Sequence, residues 1–138
     1  MNVPKGWHQH SNGGGLVENT AQVSGDARVT GNARVSGNAR VYGNARVYGD
    51  AQVSANAWVY SPIILQGTRH AVSTCSYTKI AIGCEVHAAA DWLEHYRSIG
   101  KRSGYSEAEI TEYGQILRFV AAQQKRLVVR IKKALGVG

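Results

Sequence analysis

The sequence predicts a mainly β chain: a short parallel β-helix followed by a β-hairpin and two α-helices. Three observations lead there. A six-residue period runs from Val17 to Gln66 with almost no drift, as in Val23-Ser-Gly-Asp-Ala-Arg, Val29-Thr-Gly-Asn-Ala-Arg and Val35-Ser-Gly-Asn-Ala-Arg. Gly followed by Asn or Asp recurs at one fixed place in that period. Beyond Ala88 the apolar residues switch to helical spacing. The expected units are a leader or cap over residues 1–16, the repeats over 17–66, and a C-terminal region over 67–138.

A six-residue period fits neither an α-helix nor an alternating hairpin sheet, and it matches short-period β-helix repeats. Each repeat supplies a short strand and a corner. Val points inward and its two neighbours outward, as pleating requires. Gly and Asn tolerate the positive φ of a sharp bend. Ala, four residues after Val, is small enough for an inward corner position. Val17 opens the inward series, and Val59 and Leu65 close it.

This pattern resembles the hexapeptide repeat of left-handed β-helix proteins, in which three hexapeptides make one triangular coil. The resemblance implies a left-handed coil and a homotrimer. With three repeats per coil, residues eighteen apart stack about 4.8 Å from each other. One outward face would then carry Gln22 and Ser24, Arg40 and Tyr42, Trp58 and Tyr60. A second would carry Arg28 and Thr30, Arg46 and Tyr48, Ile64 and Gln66. The third would carry Leu16 and Glu18, Arg34 and Ser36, Gln52 and Ser54. The aromatic end of the first face is expected to be covered by another subunit or by the C-terminal helices, because such an apolar patch is poorly left wet. The third face is expected to stay in water. The Val column is too thin to hold the prism alone, so capped ends and subunit contacts are expected.

The leader contains Gly13-Gly14-Gly15, a flexible turn into the first coil. Trp7 is expected over the open end of the prism. His8 and His10 lack a third ligand, so no metal site is expected. At the other end, Ser61-Pro62 breaks the ladder because Pro removes a donor. Strand-like runs at Ala71–Cys75 and Lys79–Cys84 suggest a hairpin cap. Trp92, Leu93 and Tyr96 give a first helix an apolar face. Ser106 and Glu109 form a capping box for a second. In that second helix Ile110, Tyr113, Leu117, Val120, Gln124, Leu127, Ile131 and Ala134 follow spacings of three and four. That is a heptad seam, read as a self-association surface with Gln124 setting register. Packing on its own subunit is the alternative. The candidate oligomer contacts are thus Arg40, Tyr42, Trp58 and Tyr60 on the prism, with the seam residues on the helix.

Hexapeptide repeats followed by Gly67-Thr68-Arg69, by Ile82-Gly83-Cys84 and by an acidic-aromatic helix resemble small proteins encoded by phages and prophages. That resemblance implies an accessory protein, with counter-defence as a purpose. Hexapeptide-repeat acyltransferases use a His base at a subunit boundary, usually beside an extruded loop. Gamma-class carbonic anhydrases use three His ligands around the coils. No His lies between Asn12 and Arg69 and no loop interrupts the repeats, so neither set of catalytic residues can be carried over. His70, His87 and His95 lie outside the prism; Asp91, Glu94 and His95 share a helix face, most simply a solvated one.

Binding is therefore the expected role, with no cofactor and no metal. Lys and Arg number 16 against 9 acidic residues, a net charge of +7, which suits an anionic partner. Arg28, Arg46 and Tyr48 are the candidate ligand residues, since guanidiniums hold phosphate or carboxylate bidentately. Lys125, Arg126, Arg130, Lys132 and Lys133 are the candidate nucleic-acid contacts. The leading expectation is a non-enzymatic homotrimer that binds a host protein or an anionic ligand. A nucleic-acid or nucleotide binder, a divergent acyltransferase and a structural virion component are the alternatives. No apolar run reaches membrane-spanning length. The N-terminus lacks a signal-peptide pattern, so the expected compartment is the cytoplasm, the host's if the protein is phage-encoded. Cys75 and Cys84 are the only cysteines, and sequence leaves their pairing open.

Overall fold

In the computed structural model residues 3–136 are described. Met1, Asn2, Val137 and Gly138, which belong to the expected leader and C-terminal region, lie outside the described residues. The repeats build a β-solenoid. Strands β2 (Leu16–Glu18), β3 (Gln22–Val23) and β4 (Arg28–Val29) form the first coil. Strands β5 (Arg34–Val35), β6 (Arg40–Val41) and β7 (Arg46–Val47) form the second. Strands β8 (Gln52–Val53) and β9 (Ala57–Trp58) form what there is of a third. Pairing between coils is parallel: β2-β5-β8, β3-β6-β9 and β4-β7 make three separate ladders.

The inward column is as the period requires. Val17, Val29, Val35, Val41, Val47 and Val53 are buried, with Ala27, Ala33, Ala39, Ala45 and Ala51 at the corners between them. Gly25, Gly31, Gly37, Gly43 and Gly49 all take positive φ, between 59° and 69°. Adding a Cβ at Gly37 would bring it 2.5 Å from the Ser54 carbonyl oxygen, so the coil spacing itself keeps that corner bare.

The corner after β8 breaks the rule. It carries Ala55 where the five before it carry Gly, and Asn56 adopts the positive φ of 72° instead. The turn is one residue shorter. Arg40 pairs with Ala57 and Val41 with Trp58. Trp58 therefore occupies the inward column, fully buried, and is not on the outer face the eighteen-residue spacing assigns to it. Its indole N–H donates to the Ala55 carbonyl at 2.8 Å. Val59, expected inward, is only half-buried beside this core.

Both ends of the solenoid are covered. On the N-terminal side β1 (Trp7–Gln9) pairs antiparallel with β2, with Trp7 opposite Glu18. Trp7 is a half-buried residue of that edge strand. His8 Nδ1 lies 2.7 Å from Asn19 Oδ1, and His10 Nε2 is 3.1 Å from the Ala27 carbonyl oxygen. At the other end the chain leaves the coil after Ser61-Pro62. Strand β10 (Ile64–Gln66) does not stack on β7; it joins β11 (Ala71–Thr74), β12 (Lys79–Ile82) and β13 (Glu85–Ala88) in an antiparallel sheet of order β10-β11-β12-β13. The expected end of the repeat region at Gln66 is thus corrected: Leu65 packs in the second core, not in the solenoid. In place of a separate hairpin there are four strands.

Helices α1 (Ala89–Arg102) and α2 (Glu107–Ala134) cover this sheet. The α2 capping box of Ser106 and Glu109 is present in both directions. Val72, Ile80, Ile82, Trp92, Ile99, Tyr113, Leu117 and Val120 make a second core. Farther along α2, Ile131 enters the solenoid core, so this helix joins both units.

Candidate ligand surface

Strands β4 and β7 place Arg28 opposite Arg46 and Val29 opposite Val47. The ladder bonds that hold this register run from Arg28 N to the Ala45 oxygen at 3.0 Å and from Thr30 N to the Val47 oxygen at 2.9 Å. Inward Val anchors each strand, so both guanidiniums must point out. With Thr30 and Tyr48 they line a shallow groove. Tyr48 is 47% exposed.

Protein bounds the groove at both ends. Above it, Gly15 N donates to the Val29 oxygen at 2.7 Å, and Gly14 bridges to Thr30. Below it, Arg46 N donates to Ser61 Oγ at 2.9 Å. The third rung expected from Ile64 and Gln66 is absent because β10 has joined the antiparallel sheet. The ladder is two arginines deep. Stacked about 4.8 Å apart they repel, by roughly 1 kcal/mol in water. Among the described residues neither guanidinium has a carboxylate partner. Asp50, at the next corner, accepts from Asn32 at 3.4 Å instead.

The face assigned to assembly is reorganised. Arg40 lies beside Ala57, Trp58 is inside, and Tyr42 is half-buried. Tyr60 is 40% exposed and carries the Arg130 guanidinium 4.8 Å from its ring centroid. Tyr77 closes over Trp58 edge-on at 5.3 Å, and its hydroxyl donates to the Ala57 carbonyl. The third face is not wholly in water either. Gln52 Nε2 donates to the Gly83 oxygen at 3.0 Å, and Ser54 N to the Cys75 oxygen at 2.8 Å, so β11 docks beside β8.

The heptad seam on α2 is consumed within the chain. Ile110, Tyr113, Leu117, Val120 and Ile131 are buried and Leu127 is half-buried. Gln124 sets no register with a second helix; its amide donates to the Ser76 and Lys79 carbonyls at 3.0 and 3.2 Å. The seam packs against the apolar face of its own sheet, the alternative weighed for it from sequence. Lys125, Arg126, Arg130, Lys132 and Lys133, by contrast, are all exposed.

Two polar clusters escaped the sequence reading. Glu85 and His87, two apart on β13, share a side of the strand, with Oε1 and Nε2 2.7 Å apart. Arg102 Nη2 reaches Glu85 Oε2 at 3.2 Å, and His87 meets Trp92 edge-on at 4.9 Å. The hydrogen bond from His87, then that from Arg102, holds the Glu85 carboxyl below its usual range. Asp91 and His95 line a second shallow groove with His87 and Arg102, while Glu94 turns to His95 at 3.8 Å. The i, i+2 spacing of Glu85 and His87 was the available signal; the arrival of Arg102 from α1 was not legible. The second cluster explains the Gly67-Thr68-Arg69 element. Arg69 Nε binds Glu109 at 2.9 Å and its guanidinium lies 4.5 Å over Tyr105. Tyr113 Oη accepts from the backbone N–H of both Arg69 and His70. A Cβ at Gly67 would meet that hydroxyl at 2.6 Å.

Cys75 is buried and Cys84 exposed, and both are free thiols. Burial pushes the Cys75 thiol up, which makes it a packed group rather than a nucleophile. Among the described residues no three His, Cys, Asp or Glu side chains converge on a metal-sized site.

The repeat region matches the YdcK Beta solenoid repeat family over residues 21–37, 33–49, 39–55 and 45–61. The match ends at the residue that closes the groove from below. It covers the solenoid from Ala21 onward and leaves β1, β2 and the C-terminal layer unmatched. No curated protein sequence and no solved structure matches the chain. Among the described residues no helix is long and apolar enough to cross a membrane.

Proposed function

We propose that this protein acts by binding, without catalysis, and that the Arg28–Arg46 face takes an anionic ligand or an acidic patch of a host protein. The observation that carries this reading is the in-register arginine pair without a carboxylate partner, set beside the exposed Tyr48. An oxyanion between the two guanidiniums would offset their repulsion and accept paired N–H bonds. A left-handed coil, assembly as a homotrimer, the host cytoplasm as compartment and a phage or prophage accessory role, with counter-defence as its purpose, complete the proposal. They rest on the resemblance of the repeats and tail to such proteins. Trp58 is internal and gives a trimer no contact; sedimentation or light scattering of the full chain decides the assembly.

Titration calorimetry with inorganic pyrophosphate tests the ligand face. Binding that disappears in Arg28→Gln/Arg46→Gln, with the melting temperature retained, supports it. Equal heats in wild type and variant refute it. The second reading, nucleic acid bound through basic residues, is favoured by the exposed cations of α2. A divergent acyltransferase and a virion part have no comparable observation behind them.

A further inference from the structure

Every charged side chain beyond Tyr113 is cationic: Arg118, Lys125, Arg126, Arg130, Lys132 and Lys133. All six are exposed, and among the described residues none has a carboxylate partner. Two are held by aromatics, which order a guanidinium without neutralising it. Arg118 Nη2 donates to Tyr96 Oη at 3.0 Å, and Arg130 lies over Tyr60.

Their placement on the helix is specific. Arg118, Lys125 and Lys132 recur every seven residues and form one edge of the exposed face. Arg126, Arg130 and Lys133 form the other edge. Between the rows run Ala122 and Val129, both exposed, Val129 by 66%. From Arg118 to Lys133 the rows extend about 22 Å at 1.5 Å per residue. The opposite side of α2 is committed to the protein core through Leu117, Val120, Gln124 and Ile131.

We infer that the outer face of α2 is a docking surface for double-stranded DNA, with the helix seated in the major groove. A helix about 10–12 Å across fits a groove about 12 Å wide. Two cationic rows then meet the two phosphate backbones that border the groove, and the small ridge of Ala122 and Val129 faces the base edges. The major groove of A-form RNA is too narrow for this. An anionic bilayer fits less well, because an interfacial helix buries a continuous apolar face in lipid; the large apolar side chains that α2 leaves exposed are Phe119 and Val129, while Leu117, Val120 and Ile131 are already inside the protein. The inference sharpens the nucleic-acid reading above and does not use the Arg28–Arg46 ladder.

The test is fluorescence anisotropy of the full chain with a labelled 20-base-pair DNA duplex, titrated at several salt concentrations between about 50 and 200 mM. The expected log–log salt slope is about −3 or steeper, since each neutralised phosphate contributes about −0.9. Lys125→Glu/Lys132→Glu should lose at least about tenfold in affinity. Ala122→Glu, an exposed change that leaves the core alone, should lose as much by placing a carboxylate at the groove floor. Arg28→Gln/Arg46→Gln should bind duplex as wild type does, which separates this surface from the ligand face. A slope shallower than −3 overturns the inference, as does wild-type duplex affinity in either α2 variant with its circular dichroism unchanged. Equal affinity for duplex RNA, or binding to phosphatidylserine-containing vesicles without binding to duplex, overturns it as well.

Discussion

The solenoid and the C-terminal layer reach a buried core by opposite routes. In the solenoid six valines and six corner alanines are buried by a rule that each hexapeptide carries in itself. A coil needs only the coil above it, eighteen residues away. In the C-terminal layer the core is assembled from segments far apart, and polar pins decide how they meet. Trp92 Nε1 donates to the Ile80 carbonyl at 2.7 Å, Tyr113 Oη gathers two backbone N–H groups, and Gln124 spans two carbonyls. The difference teaches that a short period specifies its own packing, whereas an irregular layer is specified by the few groups that would be orphaned elsewhere. Trp58 is where the two systems meet, since it ends the column of valines and receives Tyr77 from the sheet.

That comparison is broken most forcefully at the junction. Trp58→Ala removes the largest side chain of the solenoid core and should cost about 3–5 kcal/mol. Urea unfolding followed by circular dichroism measures it. A loss under about 1 kcal/mol would mean that the coils do not depend on the plug beneath them.

Next comes the pin of the C-terminal layer. Tyr113→Phe keeps the ring in the core but strands the N–H groups of Arg69 and His70, which should cost about 1–3 kcal/mol. Hydrogen exchange at those two amides should speed up while exchange at the solenoid amides of Val29 and Val35 stays unchanged. Acceleration in both regions would show one cooperative unit in place of two.

A third test uses pH. The Glu85 carboxyl is lowered in the folded chain by His87 and Arg102. Its contribution to stability is present above the unfolded carboxylate value of about 4.3 and is lost as pH falls through the lower folded value. Wild type should therefore lose more stability below about pH 4 than Glu85→Gln does. Parallel acid profiles for the two proteins would show that the cluster contributes nothing.

The smallest expected difference lies within the solenoid. Ser36→Ala removes a hydroxyl from the middle of a face and should stay within about 0.5 kcal/mol. Ser54 Oγ, in contrast, donates to the Cys75 carbonyl at 3.3 Å, where β11 docks. Ser54→Ala should exceed Ser36→Ala in thermal melts, and the reverse order would contradict the docking of sheet on coil.

The sequence by itself determined the coil. The Val and Ala positions, the glycine corners, the Arg28–Arg46 register and the α2 capping box all follow from contacts within or between neighbouring repeats, or from one turn of helix; the strand runs near Ala71 and Lys79 follow from the residue pattern within each run. Such contacts are local, so periodicity reports them. The tertiary structure decided the rest. It moved Trp58 inward, because Ala55 does not take the left-handed corner and Asn56 does, which shortens one turn by a residue. It drew β10 off the solenoid, because the antiparallel partner β11 offers a full ladder where Pro62 had ended the parallel one. It gave the α2 seam to its own sheet and left the cationic rows outside. An amphipathic pattern states which face of a helix is buried; which surface buries it depends on chain brought from forty or more residues away, and no local repeat records that.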